Sequence, residues 1–245
     1  MITALDHLTL SASFHAGALG AYETLLGRRA GGSRLRVGNV GISIEDSAAT
    51  ARLAAMVFAT VSLEKAEHLL ERRAVPAKPR DGQLALSVEA THGVAISLIE
   101  AKEKEAPSPL KGSSEAASIT ALDHVVIRSP NPERAIALYG GRLGLDLRLD
   151  RSNPDWGSRL LFFRCGDLVL EIAHDLKKGV SNQPDELWGL SWRTPDIGRC
   201  NERLKKAGVE VSAPREGRRS GTQVFTVQSH TANVPTIVIG GLARW

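Results

Sequence analysis

The six-residue stretch ITALDH occurs twice in this chain, at residues 2–7 and again, letter for letter, at residues 119–124. The correspondence continues at the same offset, with matching residues at Tyr22 and Tyr139 and at the dipeptides Leu26-Gly27 and Leu143-Gly144. This period is much longer than the roughly 20–50 residues of solenoid and propeller repeats. The repeat therefore predicts a duplicated domain.

The composition is that of an ordinary globular protein and indicates neither a nucleic-acid partner nor a membrane partner. The chain has 245 residues, of which 42% are hydrophobic and 24% charged, enough for two domains of ordinary size. The formal net charge is +4 and the basic residues are scattered, so we expect no nucleic-acid partner. The two cysteines, Cys165 and Cys200, suit a reducing compartment. Because neither a signal peptide nor an apolar run of about 20 residues is evident, we expect a cytoplasmic protein without membrane contact.

The second copy has the clearer pattern of secondary structure. Asn131-Pro132-Glu133 is typical of a helix start, with a capping side chain, a proline and an acid in the first turn. Ala135, Tyr139 and Leu143 continue one helical face. The strands predicted in this copy span His124–Ile127, Arg159–Arg164, Leu168–Ala173, Leu187–Arg193, Val209–Val211, Thr222–Val227 and Thr236–Ile239. A second helix is predicted from Thr194-Pro195 to Ala207.

The first copy has the same succession of elements, with its first half abbreviated. A strand at Leu5–Leu10 precedes a helix at Phe14–Leu26 that ends at Gly27, and a second strand and helix begin at Met56 and Leu63. The sequence therefore predicts an α+β protein of four tandem βαβββ modules. Residues 102–118 are charged and then rich in Pro, Gly, Ser and Ala, so we predict a linker at 104–117 between domains at 1–103 and 118–245.

Three features resemble the vicinal oxygen chelate superfamily, which includes glyoxalase I, extradiol dioxygenases, and bleomycin- and fosfomycin-resistance proteins. They are the opening LDH, the helix that ends in Tyr139 and Leu143-Gly144, and the strand Gly166-Asp167-Leu168-Val169-Leu170-Glu171. The resemblance covers the first half of the second domain well, the first domain loosely and the last module weakly. It implies the glyoxalase/bleomycin-resistance/dioxygenase fold, in which two modules curl their sheets into one cupped barrel. It also implies a divalent metal, such as Zn, Ni, Mn or Fe, held by a His and a Glu from each glyoxalase-type module and acting as a Lewis acid.

In the second domain, the resemblance places metal ligands at His124 and Glu171, with Glu171 also as the catalytic residue. In the following module the two matching positions fall at about Trp188 and at Ile237 or Val238, none of which is a ligand. The second domain thus keeps half a metal site. The alternatives are a strand histidine hydrogen-bonded beneath the barrel and a glutamate paired with Arg164 or Arg128.

The first domain keeps less of the expected ligand set. His7 matches the first-strand histidine, while Ser43 stands where the glutamate is expected and Glu45 lies two residues further on. The next module has Met56 and Ser97 at the matching positions. We interpret His7, Ser43 and Glu45 as a vestigial site.

Four further residues are candidates for substrate binding in the second domain. Arg128 shares strand parity with His124 and is suited to fix a carboxylate or phosphate, the alternative being a solvated strand end. Trp188 and Trp192 share a strand face and suit an apolar ligand, although core packing is the alternative for one of them. Trp156 lies in a turn-forming loop, NPDWG, of the kind found at pocket rims.

Two functions follow from these assignments. The first is a lyase- or isomerase-type enzyme with a reduced metal site, acting on a small oxygen-rich metabolite. The second is a metal-free protein that sequesters or senses a small molecule, as resistance proteins of the superfamily do. The partner is a small-molecule ligand in both cases. Pairing of modules between subunits, as in a homodimer, is left open.

Overall fold

The structure is a computed structural model that describes residues 1–31, 34–48, 50–101, 106–112 and 114–241. Some of the predicted domain and linker positions lie outside the described residues, namely 32, 33, 49, 102–105, 113 and 242–245. The domain bounds therefore remain a prediction.

The first half of the chain forms two modules. Their elements are β1 (Ile2–Ala12), α1 (His15–Leu26), β2 (Arg34–Val37), β3 (Val40–Asp46), β4 (Arg52–Thr60), α2 (Leu63–Arg72), β5 (Ala77–Arg80), β6 (Gln83–Leu86) and β7 (Ala95–Glu100). In the part of the chain that the structure describes, two strands follow α1 and three follow α2. This is the abbreviated first module that the sequence predicts.

The second half of the chain forms two further modules, each with three strands after its helix. Their elements are β8 (Ala121–Arg128), α3 (Pro132–Ala135), β9 (Asp146–Asn153), β10 (Ser158–Cys165), β11 (Leu168–Asp175), β12 (Glu186–Arg193), α4 (Ile197–Lys206), β13 (Arg215–Glu216), β14 (Gln223–Val227) and β15 (Thr236–Gly240). The predicted α+β class with four tandem modules is confirmed.

The strands form two sheets, one from each half of the chain. The seven-stranded sheet has the order β2-β3-β1-β4-β7-β6-β5, and the eight-stranded sheet has the order β13-β14-β15-β12-β8-β11-β10-β9. The residues of the chain also group, by the contacts they make with one another, into two compact units. Met1–Leu8, Ala54–Lys104 and His124–Trp188 form one, and Thr9–Leu53, Glu105–Asp123 and Gly189–Trp245 form the other. No helix in the described residues is long and apolar enough to cross a bilayer.

The helix after β8 begins as predicted but continues differently. The Asn131 side chain accepts a hydrogen bond from the Arg134 N–H at 3.1 Å, with Pro132 in the first turn. From Ile136 to Arg142 the helix is π-helical, and the Leu143 N–H donates to the Leu138 carbonyl, five residues back, at 2.8 Å. The pair Gly140-Gly141 weakens α-helical winding at this point, which permits the wider turns. Ala135, Tyr139 and Leu143 are nevertheless fully buried along one face, as predicted.

The described part of the predicted linker is tied to the first module. The Arg29 N–H donates to the Pro109 carbonyl at 2.8 Å, the Lys111 N–H to the Gly27 carbonyl at 2.8 Å, and the Ser108 N–H to the Arg36 carbonyl at 2.9 Å. These hydrogen bonds satisfy backbone groups that a free linker would leave to water. The composition predicted the polarity of this segment but not its docking.

The helix after β8 covers one face of the module's sheet. Val125, Ile127, Leu170 and Ile172 on β8 and β11 are all fully buried. On β10, Phe163 is also fully buried, with its ring centroid 5.9 Å from that of Tyr139. Each such side chain contributes about 1.5–3 kcal/mol to folding. The opposite sheet face carries the candidate site.

Candidate functional site

His124 and Glu171 lie on adjacent parallel strands, β8 and β11. The register pairs His124 with Val169 and Glu171 with Val126, so the two side chains occupy neighbouring positions on one face of the sheet. The local reason is strict alternation, because Val125 and Ile127 point to the buried helix side and leave His124 on the other. The structure therefore places His124 and Glu171 on the same face of the sheet.

The two side chains meet directly. His124 Nε2 lies 3.4 Å from Glu171 Oε2, and the side chains are only 16% and 15% exposed. At 3.4 Å the contact is long for a strong hydrogen bond but short enough for an electrostatic interaction that fixes both groups. The observed partner of the Glu171 carboxylate is therefore His124. Arg164, one of the alternatives, instead directs its Nε to the Gly166 carbonyl at 3.4 Å.

Apolar side chains surround this pair. Val126, Leu160 and Val169 are each 8% exposed, and Phe162 is directly paired with Glu171 across β10 and β11 and is partly exposed. Residues that pair directly across strands project to the same side of the sheet, so these groups share the face with Glu171. A polar pair in apolar surroundings has few competing water contacts, which strengthens its electrostatic effect on a bound molecule.

Arg128 lies at the exposed end of the same face. Its Cζ atom is 4.0 Å from the ring centroid of Trp188, a cation–π geometry. Arg128 is exposed and Trp188 is partly buried. A guanidinium stacked in this way keeps its N–H groups in the plane and available to an anion. This contact brings together two sequence-predicted candidates, Arg128 and Trp188, and strand parity puts His124 on the same face.

Comparison with known proteins finds a family match in the second half of the chain. Residues 123–226 match the model of the glyoxalase/bleomycin resistance protein/dioxygenase superfamily. This match covers 104 of the 245 residues of the chain. The recognition made from the LDH opening and the strand that ends in Glu171 is confirmed.

Three of the similar proteins bear the names of enzymes. An ethylmalonyl-CoA/methylmalonyl-CoA epimerase from Cereibacter sphaeroides is 29% identical over 97 residues, which is 37% of this chain and 72% of the epimerase. A variant of 4-hydroxymandelate synthase from Streptomyces coelicolor has a TM-score of 0.73 at 12% identity, over 100% of this chain and 95% of the synthase. A halotolerant catechol dioxygenase has a TM-score of 0.69 at 13% identity, over 100% of this chain and 89% of that one. At these identities the solved structures show that the fold is shared.

His124 and Glu171 together offer a divalent ion only part of a ligand set. An imidazole nitrogen from His124 and a carboxylate oxygen from Glu171 are suitable donors. Among the residues that the structure describes, no group of three or more His, Cys, Asp or Glu side chains is placed to hold a metal ion. His174, which directly follows β11 residue Ala173, is 4% exposed and contacts the Ser129 carbonyl through Nδ1 at 3.0 Å, so it is buried on the other face.

The other two candidate tryptophans, Trp156 and Trp192, differ in exposure. Trp156 lies in the turn between β9 and β10, is 41% exposed and lies 5.2 Å from the guanidinium of Arg151. Trp192 is fully buried, and its indole Nε1 has no hydrogen-bond partner within the described ranges. The position of Trp156 is compatible with a pocket rim. The burial of Trp192 favours the core-packing alternative, and its role in ligand binding stays a prediction.

His7 and Ser43, two of the three first-domain candidates, have local partners of their own. His7 is 5% exposed, and its Nδ1 lies 2.7 Å from Asp6 Oδ2. Ser43 Oγ accepts a hydrogen bond from Arg34 Nε at 3.1 Å, and Glu45 is exposed. Such local pairing is sufficient to account for a buried histidine. The vestigial-site interpretation stays a prediction.

Cys165 is close to the superfamily site in sequence but is not a nucleophile. It is buried, and burial raises the pKa of its thiol to about 12. The reactive form of cysteine is the thiolate, so the group is chemically inert at neutral pH.

Sequence reasoning missed Phe162, Leu160 and Arg151 as residues of this sheet face. Arg159–Arg164 was predicted as a strand, and its alternation carries a signal for Leu160 and Phe162. Arg151 gave no such signal, because its side of the sheet depends on a pairing with Leu160 across a hairpin.

Proposed function

We propose that this protein is an isomerase- or lyase-type enzyme that acts on a small oxygen-rich metabolite, with Glu171 as the group that moves a proton. The observation that carries the proposal is the 3.4 Å contact between His124 and Glu171, whose nearest neighbours on the sheet face are apolar side chains. Proton transfer by a positioned carboxylate contributes typically 10²–10⁴-fold to a rate. A cytoplasmic location belongs to the same proposal.

The residues have separate roles in this mechanism. The Glu171 carboxylate takes a proton from a carbon next to a substrate carbonyl and returns it, either to the same carbon or to a neighbouring atom. His124, in the tautomer that carries hydrogen on Nε2, donates toward the Glu171 carboxylate and holds its orientation. Arg128, stacked on Trp188, binds an anionic group of the substrate.

His124 and Glu171 would also be the residues that hold a divalent ion. Such an ion, when bound, supplies Lewis acidity toward substrate oxygens. Calorimetric titration of Zn, Ni, Mn and Fe into the wild-type protein and into the variants His124→Ala and Glu171→Ala tests this part. Binding that both variants abolish supports a metal site at the pair, whereas binding that is indifferent to both excludes it.

The similarity to an epimerase decides which reaction to assay first. That epimerase is named for ethylmalonyl-CoA and methylmalonyl-CoA, so we propose an epimerase-type proton exchange. The assay incubates the protein with methylmalonyl-CoA in D₂O and measures incorporation of one deuterium by mass spectrometry. Propionyl-CoA, which lacks the free carboxylate of methylmalonyl-CoA, is the matched control. Exchange into methylmalonyl-CoA well above the buffer rate is expected, and exchange equal to buffer across this and other carboxylated thioesters would refute the reaction.

A metal-free binding protein is the second candidate. The stacking of Arg128 on Trp188 favours it, because such a pair binds an anion without any chemistry. Under this function, methylmalonyl-CoA binds in calorimetry but no deuterium enters it. The two measurements together therefore distinguish the two functions.

A further inference from the structure

A second arginine–tryptophan pair lies at the edge of the sheet that carries the site. Arg151 is near the end of β9, the edge strand, and Trp156 is in the turn that follows. The Arg151 Cζ atom is 5.2 Å from the Trp156 ring centroid, within the range of a cation–π interaction. Both residues are exposed.

The strand register places Arg151 on the same face as Arg128. Arg151 pairs with Leu160, Leu160 pairs with Ala173, and Ala173 pairs with Arg128, so the four residues form one row across β9, β10, β11 and β8. Side chains paired directly across strands project to the same side. Three strand spacings separate the two arginine backbones, roughly 14 Å at about 4.8 Å each.

The two arginines of this row differ from two other arginines of the same module, Arg148 and Arg159. Arg148 has a carboxylate partner, Asp146, at 2.9 Å, and Arg159 has two, Asp150 at 2.7 Å and Glu133 at 2.6 Å. For Arg128 and Arg151, the described residues supply no carboxylate partner within 4.0 Å. Their guanidinium groups are positioned by tryptophan rings instead, which leaves the planar N–H donors for an external anion.

The surface between the two pairs is apolar. Leu160 is in the row itself, and Phe162 and Leu149, which pair with each other, lie in the adjacent row with Glu171. Leu149 is 48% exposed, an uncommon degree for a large apolar side chain. An aliphatic chain laid across these residues would cover them and pass beside Glu171.

We infer that Arg151 and Trp156 form a second anion-binding subsite, and that the substrate is an elongated molecule with an anionic group at each end and an apolar middle. Arg128 binds the anion near Glu171, and Arg151 binds the distal carboxylate or phosphate. The inference rests on the proposed function, because it takes the face around Glu171 as the substrate site.

The test compares ligands with one and two anionic ends. Suberate, sebacate and dodecanedioate are titrated into the protein by calorimetry, with octanoate, decanoate and dodecanoate as matched monoanions. An ω-phosphonocarboxylate of ten carbons forms a further arm and distinguishes a distal phosphate from a distal carboxylate. The variants are Arg128→Gln and Arg151→Gln, and Arg148→Gln is the control, because Arg148 lies on the same strand but is paired with Asp146.

We expect at least one dianion to bind about tenfold more tightly than its monoanion. Arg151→Gln is expected to remove this preference and to leave monoanion binding unchanged, while Arg148→Gln changes neither. Equal binding of every dianion and its monoanion overturns the inference, and so does a preference that survives Arg151→Gln. Failure of the proposed function would give a different result: the wild type would show no deuterium exchange, while the preference for dianions would persist.

Discussion

The substitution Arg128→Lys tests whether the guanidinium, and not only a positive charge, serves the site. Lysine keeps the charge but cannot stack as a plane on Trp188 or bind a carboxylate through two N–H groups. Stacking at an exposed site is worth about 0.5–1 kcal/mol. A charge-assisted hydrogen bond is worth about 1.5–3 kcal/mol, part of which lysine retains.

The expected loss in affinity for a carboxylated ligand is therefore about 1–2.5 kcal/mol, or roughly 5- to 60-fold at 1.4 kcal/mol per tenfold. The assay is calorimetry with methylmalonyl-CoA and with propionyl-CoA, which lacks the carboxylate that Arg128 is proposed to bind. Only the first ligand should lose affinity. Because Arg128 is exposed, the free energy of unfolding should change by less than about 1 kcal/mol.

Two results would refute this reasoning. If Arg128→Lys binds methylmalonyl-CoA as tightly as the wild type does, Arg128 is a solvated strand end. If both thioesters lose affinity equally, the substitution has disturbed the face in general and Arg128 has no specific anion. Arg164→Lys is a matched control, since Arg164 is exposed and directs its Nε to the Gly166 carbonyl.

Three further predictions concern the scaffold. Asn131→Ala should lower the free energy of unfolding by about 0.5–2 kcal/mol in urea denaturation, because it removes the cap on the Arg134 N–H; an unchanged midpoint would contradict this. Phe163→Ala should cost about 3–5 kcal/mol, measured in the same way, because the ring is fully buried against Tyr139; a loss below 1 kcal/mol would show that the contact is not formed. At pH 8 the Cys165 thiol, with a pKa raised to about 12, should resist iodoacetamide in the native protein and react after unfolding in urea, as mass spectrometry of the Cys165 peptide would show; rapid native alkylation would contradict its burial.

Local signals in the sequence were sufficient for much of the fold. The ITALDH repeat predicted the duplication, Asn131-Pro132 predicted a helix start and Gly27 a helix end, because caps depend on residues a few positions apart. Gly27 has φ 68° and donates its N–H to the Glu23 carbonyl. The alternation around His124 and Glu171 predicted which side chains share a face.

Features that depend on distant residues were not predicted. The row from Arg151 to Arg128 requires the register of four strands, and no local pattern specifies it. The π-helical turns after Ala135 leave the same residues buried as an α-helix would, so the apolar spacing does not distinguish them. The docking of Ser108 and Pro109 depends on backbone hydrogen bonds, which the composition of the segment does not indicate.

The proton-transfer role of Glu171 is tested most directly by the rate of deuterium incorporation from D₂O in the variant Glu171→Gln. Glutamine keeps the shape of the side chain but cannot take a proton, so the rate should fall by about 10²–10⁴-fold, with native stability and with unchanged binding of methylmalonyl-CoA. Glu45→Gln, in the predicted vestigial site of the first domain, should retain the wild-type rate. Exchange by Glu171→Gln within threefold of the wild-type rate would contradict the account.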